Sequence, residues 1–189
     1  AAELGNEQPT KPIFFVKPNN CLIRSGPISV STHPGEVHHE VECVVRLNQF
    51  AQPEAIAVGL DLTDRLTQGE LRSEQLPWTK GKCFRGSAYV GGFTEWDHPL
   101  ESLIDETHGL KLNLWVNGKL VQSAPLSDMT ITPSAQVEDL LTWAPISAGD
   151  YLFTGTPDGV GQLYPKDLVC ATLEANDGTI LSSIETHCC

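Results

Sequence analysis

His38-His39-Glu40-Val41-Glu42-Cys43-Val44-Val45 is the stretch on which the fold turns. The apolar, β-branched run from Val41 onward reads as a buried strand. Successive strand side chains point to opposite faces, so Glu40 and Glu42 share one face, about 7 Å apart along the backbone. Two carboxylates that close repel, and burying them unpaired is costly. A hard divalent cation with oxygen ligands would resolve the conflict. A solvated acidic edge strand would do so equally well, and the pair alone does not choose. The His-His-Glu run also invites a zinc-protease reading, but that motif needs a second His one helical turn beyond the Glu. The positions here are Val41, Glu42, Cys43 and Val44, on a strand, so the reading fails.

Upstream, Pro12-Ile13-Phe14-Phe15-Val16-Lys17-Pro18 is predicted as a buried strand bracketed by prolines, followed by loop over 19–37. Downstream, residues 55–61 form a small, apolar strand that closes on Asp61, a position more often filled by a turn or helix cap than by a ligand. The pattern then turns helical from Asp64 to about Gln75, with Arg65 and Gln68 three apart on one face. Lys80 and Lys82 follow among aromatics, where the default is a surface lysine. Residues 85–109 read as an irregular connection. Leu110, Leu112, Leu114 and Val116 alternate with polar neighbours into Asn117-Gly118, a strong hairpin signal. Thr132-Pro133 starts a short helix with Val137, Leu140 and Leu141 on its apolar face. A strand at 151–153 runs into Thr154-Gly155-Thr156-Pro157-Asp158-Gly159-Val160-Gly161. That loop lacks the Gly-Lys-Ser/Thr ending of a phosphate loop, so its glycines serve a tight turn or close approach to a small ligand. Asp177-Gly178 marks a closing hairpin. The expectation is one domain over 1–189, mainly β with short helices (α+β).

A chain of 189 residues with 40% hydrophobic and 19% charged content can bury a full core and is not disordered. Its net charge of -12 argues against nucleic acid or an anionic membrane surface as partner. An acidic substrate would need a metal and a few basic groups to overcome that field. The six cysteines show no CxxC pair and no metal-ligand spacing, which favours reduced thiols in a cytoplasmic setting. No run reaches the length of a membrane span, and no signal segment opens the chain. Because Ala1-Ala2-Glu3 lacks an initiating Met, the natural start is expected upstream.

The order of these pieces resembles the fumarylacetoacetate hydrolase family, and within it the small acylpyruvate hydrolases and oxaloacetate decarboxylases. The resemblance rests on the proline-bracketed run, the Glu40-x-Glu42 strand, Gly59-Leu60-Asp61-Leu62-Thr63, Leu76-Pro77-Trp78, Lys82, Val116-Asn117-Gly118, Gly149-Asp150 and the Thr154–Gly161 loop. It covers residues 1 to about 173. It implies a mixed β-sandwich roll, a homodimer, and Mg²⁺ or Mn²⁺ held by Glu40, Glu42 and Asp61. By the same resemblance Lys82 is the active-site lysine, Arg65 and Gln68 reach the substrate, and Thr156 holds its carboxylate. Two departures stand out. The family's Asp follows the arginine, whereas here Asp64 precedes Arg65. Glu3 matches the Glu of the family's catalytic His/Glu dyad, but the matching His would immediately precede Ala1, so part of the family's N-terminal region is missing from the sequence.

The implied activity is hydrolytic cleavage of the C–C bond of acylpyruvates, 1,3-diketo acids, to pyruvate and a carboxylic acid. Such a small oxo-acid offers its carboxylate and 2-oxo oxygen to a cation with open positions. Glu3 and the His would activate water, and Lys82 would stabilise the oxyanion. Decarboxylation of oxaloacetate needs the same electron sink without water attack. An isomerase of 2-hydroxy-dienedioates, or a non-catalytic oxo-acid-binding protein lacking the dyad, are the alternatives.

Overall fold

The computed structural model describes residues 11–189. Its centre is the antiparallel pairing of β3 (Val41–Leu47) with β4 (Pro53–Asp61), in the register Val41↔Leu60 and Val44↔Ala57. Both strands are buried on both faces except where Arg46 and Glu54 meet near the far end. That burial explains a near-continuous apolar run where a half-exposed strand would alternate. Around this pair β1 (Leu22–Ile23), β6 (Ala88–Val90) and β10 (Tyr151–Phe153) complete the sheet order β1-β6-β4-β3-β10, and β7 (Thr94–Glu95) adds to β4.

A second sheet is built from β8 (Lys111–Val116), β9 (Lys119–Pro125), β12 (Leu168–Glu174) and β13 (Ile180–His187), in the order β13-β12-β8-β9. Its inner face, Leu112, Leu114, Val169, Ala171 and Leu173, packs on Val41, Cys43, Val45, Ile56, Val58 and Leu60 of the first sheet. The Ser182 hydroxyl fastens the two sheets by accepting from the Val58 N–H at 3.0 Å and donating to the Gly92 carbonyl at 2.6 Å. The β8–β9 hairpin turns where expected, with Asn117 and Gly118 at φ 53° and 76°, the conformation such a turn demands. A small third sheet joins β2 (Val37–His39), β5 (Thr63–Asp64) and β11 (Gly161–Gln162). The result is a roll of curled sheets with few short helices.

Helix α1 (Arg65–Ser73) is capped by Asp64, whose carboxylate accepts from the Thr67 N–H at 3.0 Å. Burial pushes the Asp64 carboxyl up, but the Thr67 amide and the His33 ring win and hold it below its ordinary value. The displaced acid beside Arg65 therefore has a structural task as a cap. Helix α2 (Thr79–Lys82) follows, and α3 (Pro133–Leu140) begins on Thr132, whose hydroxyl accepts from Ala135 N–H at 3.2 Å.

Two expectations change. The run from Pro12 to Pro18 forms no strand. It is extended chain with Ile13 and Val16 exposed, and it lines the large cleft described below. Prolines fix an extended φ but supply no ladder donors, so extension without pairing is what they permit. The stretch 85–109 is more ordered than expected, because β6 is a member of the main sheet and Leu100–Ile104 forms a 3-10 turn.

Candidate metal and oxo-acid site

The site grows out of the β3–β4 register. Glu40 lies in the break between β2 and β3, and its carbonyl accepts the Asp61 N–H at 2.9 Å, so the start of one strand and the end of the other meet. Glu42 lies one step into β3. Carboxylate oxygens of Glu40, Glu42 and Asp61 come within 4.8 Å of one another, and all three side chains are buried. The solvated-edge reading of the acidic pair is thereby excluded.

Burying three carboxylates calls for compensation, and the chain provides it with three cations. Lys82 reaches the cluster from the end of α2. Its ammonium donates to Glu40 Oε2 at 2.7 Å, Asp61 Oδ2 at 2.6 Å and Thr63 Oγ1 at 2.6 Å. Burial alone would lower the Lys82 pKa, but Asp61 and Glu40 overrule it and hold the ammonium above its ordinary value. Lys17 arrives from the extended segment, with its Nζ 2.5 Å from Asp61 Oδ1 and bonded to the carbonyls of Leu62 and Ser87. For Lys17 burial wins over the attraction of Asp61, and its pKa is lowered. Arg65 pairs with Glu40 Oε1 and donates to Gln68 Oε1 at 2.7 Å.

Glu42 is the member with no cation in contact among the described residues. Its Oε2 accepts the Gly155 N–H at 2.6 Å. Burial, then repulsion from Asp61 and Glu40, raises its carboxyl to about 8. A buried acid pushed that high beside two other carboxylates marks a position where a bound cation would offset the crowded charge. Asp61 Oδ1, buried and ion-paired with Lys17, accepts no hydrogen bond of good geometry. The donor set is all oxygen, which fits Mg²⁺ or Mn²⁺ and not a soft metal.

The third wall is the glycine-rich loop. Thr156 is positioned by Gln122, a buried residue of β9 whose Nε2 donates to Thr156 Oγ1 at 2.9 Å and to the Pro157 carbonyl at 2.8 Å. Its Oε1 accepts from His39 Nδ1 at 2.9 Å and from the Val41 N–H at 3.1 Å, which fixes the amide orientation. The loop approaches β9 so closely that a Cβ on Gly159 would stand 2.0 Å from the Val121 carbonyl, and Gly159 has φ +101°. Only glycine fits.

The structure therefore brings Glu40, Glu42, Asp61, Lys82 and Arg65 into one cluster, and Thr156 borders the same cleft as Glu42 and Asp61. Gln68 reaches it only through Arg65, and of the cluster Glu42 and Asp61 border the cleft while Glu40, Arg65, Gln68 and Lys82 are not among its described lining. Glu3 lies outside the described residues. Lys17 and Gln122 are site residues the sequence reading missed. The Lys17-Pro18 end of an apolar run carried a signal, since a lone charge closing such a run has to go somewhere. Gln122 carried none.

Residues 1–184 match the family model described as fumarylacetoacetate (FAA) hydrolase C-terminal. Oxaloacetate tautomerase YcgM of Escherichia coli is 33% identical over 189 residues, covering 94% of this chain and 84% of the relative. A mitochondrial oxaloacetate decarboxylase of Dictyostelium discoideum is 27% identical over 181 residues, 89% of this chain and 81% of the relative. Among solved structures, fumarylpyruvate hydrolase from Pseudomonas aeruginosa, in complex with Mn²⁺ and pyruvate, superposes with a TM-score of 0.83 at 24% identity, covering 99% of this chain and 83% of its own.

Proposed function

The chain belongs to the fumarylacetoacetate hydrolase family, and from that premise we propose a divalent-metal-dependent enzyme that stabilises the enolate of a 2-oxo acid. The reaction assigned to it is hydrolytic cleavage of acylpyruvates to pyruvate and a carboxylic acid, with tautomerisation and decarboxylation of oxaloacetate as reactions of the same site. The observation that carries the proposal is the buried carboxylate triad with its proton-holding Glu42. The relatives support it by their chemistry. The names of the three span a tautomerase, a decarboxylase and a hydrolase, and enolate formation next to a 2-oxo group is the step those reactions share.

Glu40, Glu42 and Asp61 would hold the Mg²⁺ or Mn²⁺. When bound, the cation supplies Lewis-acid polarisation of the 2-oxo group and charge to offset the developing enolate. The chain's own residues do the rest. Thr156 Oγ1 accepts from Gln122, so its hydrogen is free to donate to the substrate carboxylate. Lys82, kept protonated by Asp61 and Glu40, offers a fixed positive charge to an oxyanion formed at the attacked carbonyl. Arg65 acts through Glu40, whose orientation it sets, and Gln68 orients Arg65. In hydrolysis the activation of water is assigned to Glu3, the match to the Glu of the family's dyad. The C–C bond then breaks toward the pyruvate enolate, which is protonated, and the acyl carbon takes the water oxygen to become the carboxylic acid.

The test is pyruvate release from acetylpyruvate. It is expected with Mg²⁺ or Mn²⁺, lost on chelation, and lost in Glu40→Ala. Release undiminished in that variant would end the reading.

A further inference from the structure

Two buried side-chain amides hold the glycine-rich loop against the triad. Gln122, from β9, holds Thr156 and Pro157. Gln136, near the start of α3, holds the residues just before them. Its Nε2 donates to the Ile131 carbonyl at 3.0 Å and to the Thr154 carbonyl at 2.9 Å. Both amide hydrogens are thereby engaged, and the side chain fits only one way round. Gln136 is buried and borders the same cleft as Glu42 and Asp61.

The Thr154 carbonyl belongs to the same peptide unit as the Gly155 N–H. That unit is trans and planar, so its C=O and N–H point in opposite directions. With the carbonyl turned toward α3, the N–H is aimed at β3, where it donates to Glu42 Oε2 at 2.6 Å. Upstream, Thr154 is pinned to β3, because its N–H at 3.1 Å and its hydroxyl at 2.9 Å both bond the Cys43 carbonyl. Downstream the chain is permissive. Gly155 stands at φ +103°, and no described atom lies within 4 Å of the place a Cβ would take. What sets the facing of the unit is therefore the hydrogen bonds at its two ends. Turned over, it would present a carbonyl oxygen to Glu42, one acceptor against another. We propose that Gln136 is a positioning residue of the metal site: by gripping the Thr154 carbonyl it keeps the Gly155 N–H on Glu42 and so fixes the carboxylate that a cation would bind. The two amides then divide the loop, Gln136 serving the cation through Gly155 and Gln122 serving the oxo-acid through Thr156. The inference rests on the triad being a metal site, as proposed above.

Calorimetric titration of the metal-free protein with Mg²⁺ tests it. Gln136→Met keeps the length of the side chain and removes both donors. It should weaken Mg²⁺ binding about tenfold, the share of one hydrogen bond to a charged group, and leave oxalate affinity of the Mg²⁺-saturated protein within about twofold of the parent. Gly155→Ala leaves Gln136 in place and has room for its methyl group, but it makes φ +103° costly. It should turn the same peptide unit and give a similar loss, and the double variant should lose little more than either alone. Gly155→Ala decides the matter if Gln136→Met does not fold. A spectroscopic readout separates positioning from general support. In metal-free protein labelled with ¹⁵N-glycine, the Gly155 amide proton should shift upfield and exchange faster in Gln136→Met. The amide of Gly91, which donates to the Val58 carbonyl at 2.9 Å, should stay as in the parent. A parent that binds no Mg²⁺ ends both the metal reading and this one. If the parent binds Mg²⁺ and either variant binds it equally well, the inference is overturned and the triad stands. Loosening of Gly155 and Gly91 together also overturns it, because Gln136 then only supports the fold.

Discussion

Replacing Glu42 by Gln should stabilise the metal-free protein while destroying its response to metal. Glu42 ionises near 4.5 in an unfolded chain and is raised to about 8 in the fold, first by burial and then by Asp61 and Glu40. Below pH 4.5 both states carry the proton and nothing is lost. Between 4.5 and about 8 the unfolded chain has released it and the fold has not, so stability falls as pH rises, at about 1.4 kcal/mol per pH unit. The loss amounts to about 3 kcal/mol at pH 7 and levels off near 5 kcal/mol above pH 8. Gln has no proton to lose, and its carbonyl can still accept the Gly155 N–H that now bonds Glu42 Oε2. The variant should therefore melt about 6–12 °C above the parent at pH 7 without metal, at 2–4 °C per kcal/mol for a chain of this size. Its melting temperature should also lack the parent's decline between about pH 5 and 8. The parent, in turn, must release the Glu42 proton to take up Mg²⁺, so its metal affinity should rise about tenfold per pH unit until pH 8. Thermal melts of both proteins in chelator and in Mg²⁺, at several pH values, read all of this. A variant that melts at or below the parent in chelator at pH 7.5, or two parallel pH profiles, would refute the reasoning.

Lys82→Met removes one cation from a buried cluster of three carboxylates and leaves Glu40, Asp61 and Thr63 without a shared donor. It should cost about 3–5 kcal/mol without metal, a drop of roughly 6–20 °C, and saturating Mg²⁺ should recover much of that loss in a thermal melt. Gln122→Leu abandons four partners in the buried amide network, so unfolding titrations should show a loss of about 2–4 kcal/mol. Because Thr156 is oriented by that amide, oxalate should bind the Mg²⁺-loaded variant more weakly while Mg²⁺ affinity holds. Unchanged oxalate binding would remove Thr156 from its assigned role.

How far the sequence could be read varied with the kind of signal. The β3–β4 core was legible because β-branched runs follow from burial itself, and the Asn117-Gly118 and Asp177-Gly178 turns because positive φ narrows the choice of residue. Asp61 and Lys82 were not legible from local chemistry. A lone Asp ending a strand and a lone Lys in a short helix look like a cap and a surface charge, and only the ordered resemblance moved them into the site. Their true environment depends on partners 21 and 42 residues away in the chain, to which no local pattern points. The proline-bracketed run was misread for a related reason. Apolar residues that line a cleft and apolar residues that fill a core have the same composition, and what separates them is the packing of α3 and the 126–131 turn, elements more than a hundred residues later.

The acidic balance of the chain, which would repel an anionic ligand, is settled locally and not by composition. Three of its 12 basic residues, Lys17, Arg65 and Lys82, converge on the three carboxylates. With Glu42 protonated the metal-free cluster is weakly positive, three cations against two anions. Exchange of that proton for a dication makes it more positive still, by one unit of charge. Uptake of a dication at the proposed site would thus raise the attraction for an oxo-acid and couple the two bindings in the order metal, then acid. The lysines have a second effect. Lys82 donates to one oxygen of Glu40 and one of Asp61, and Lys17 is ion-paired with the other Asp61 oxygen, so the chain's own cations hold the carboxylates together.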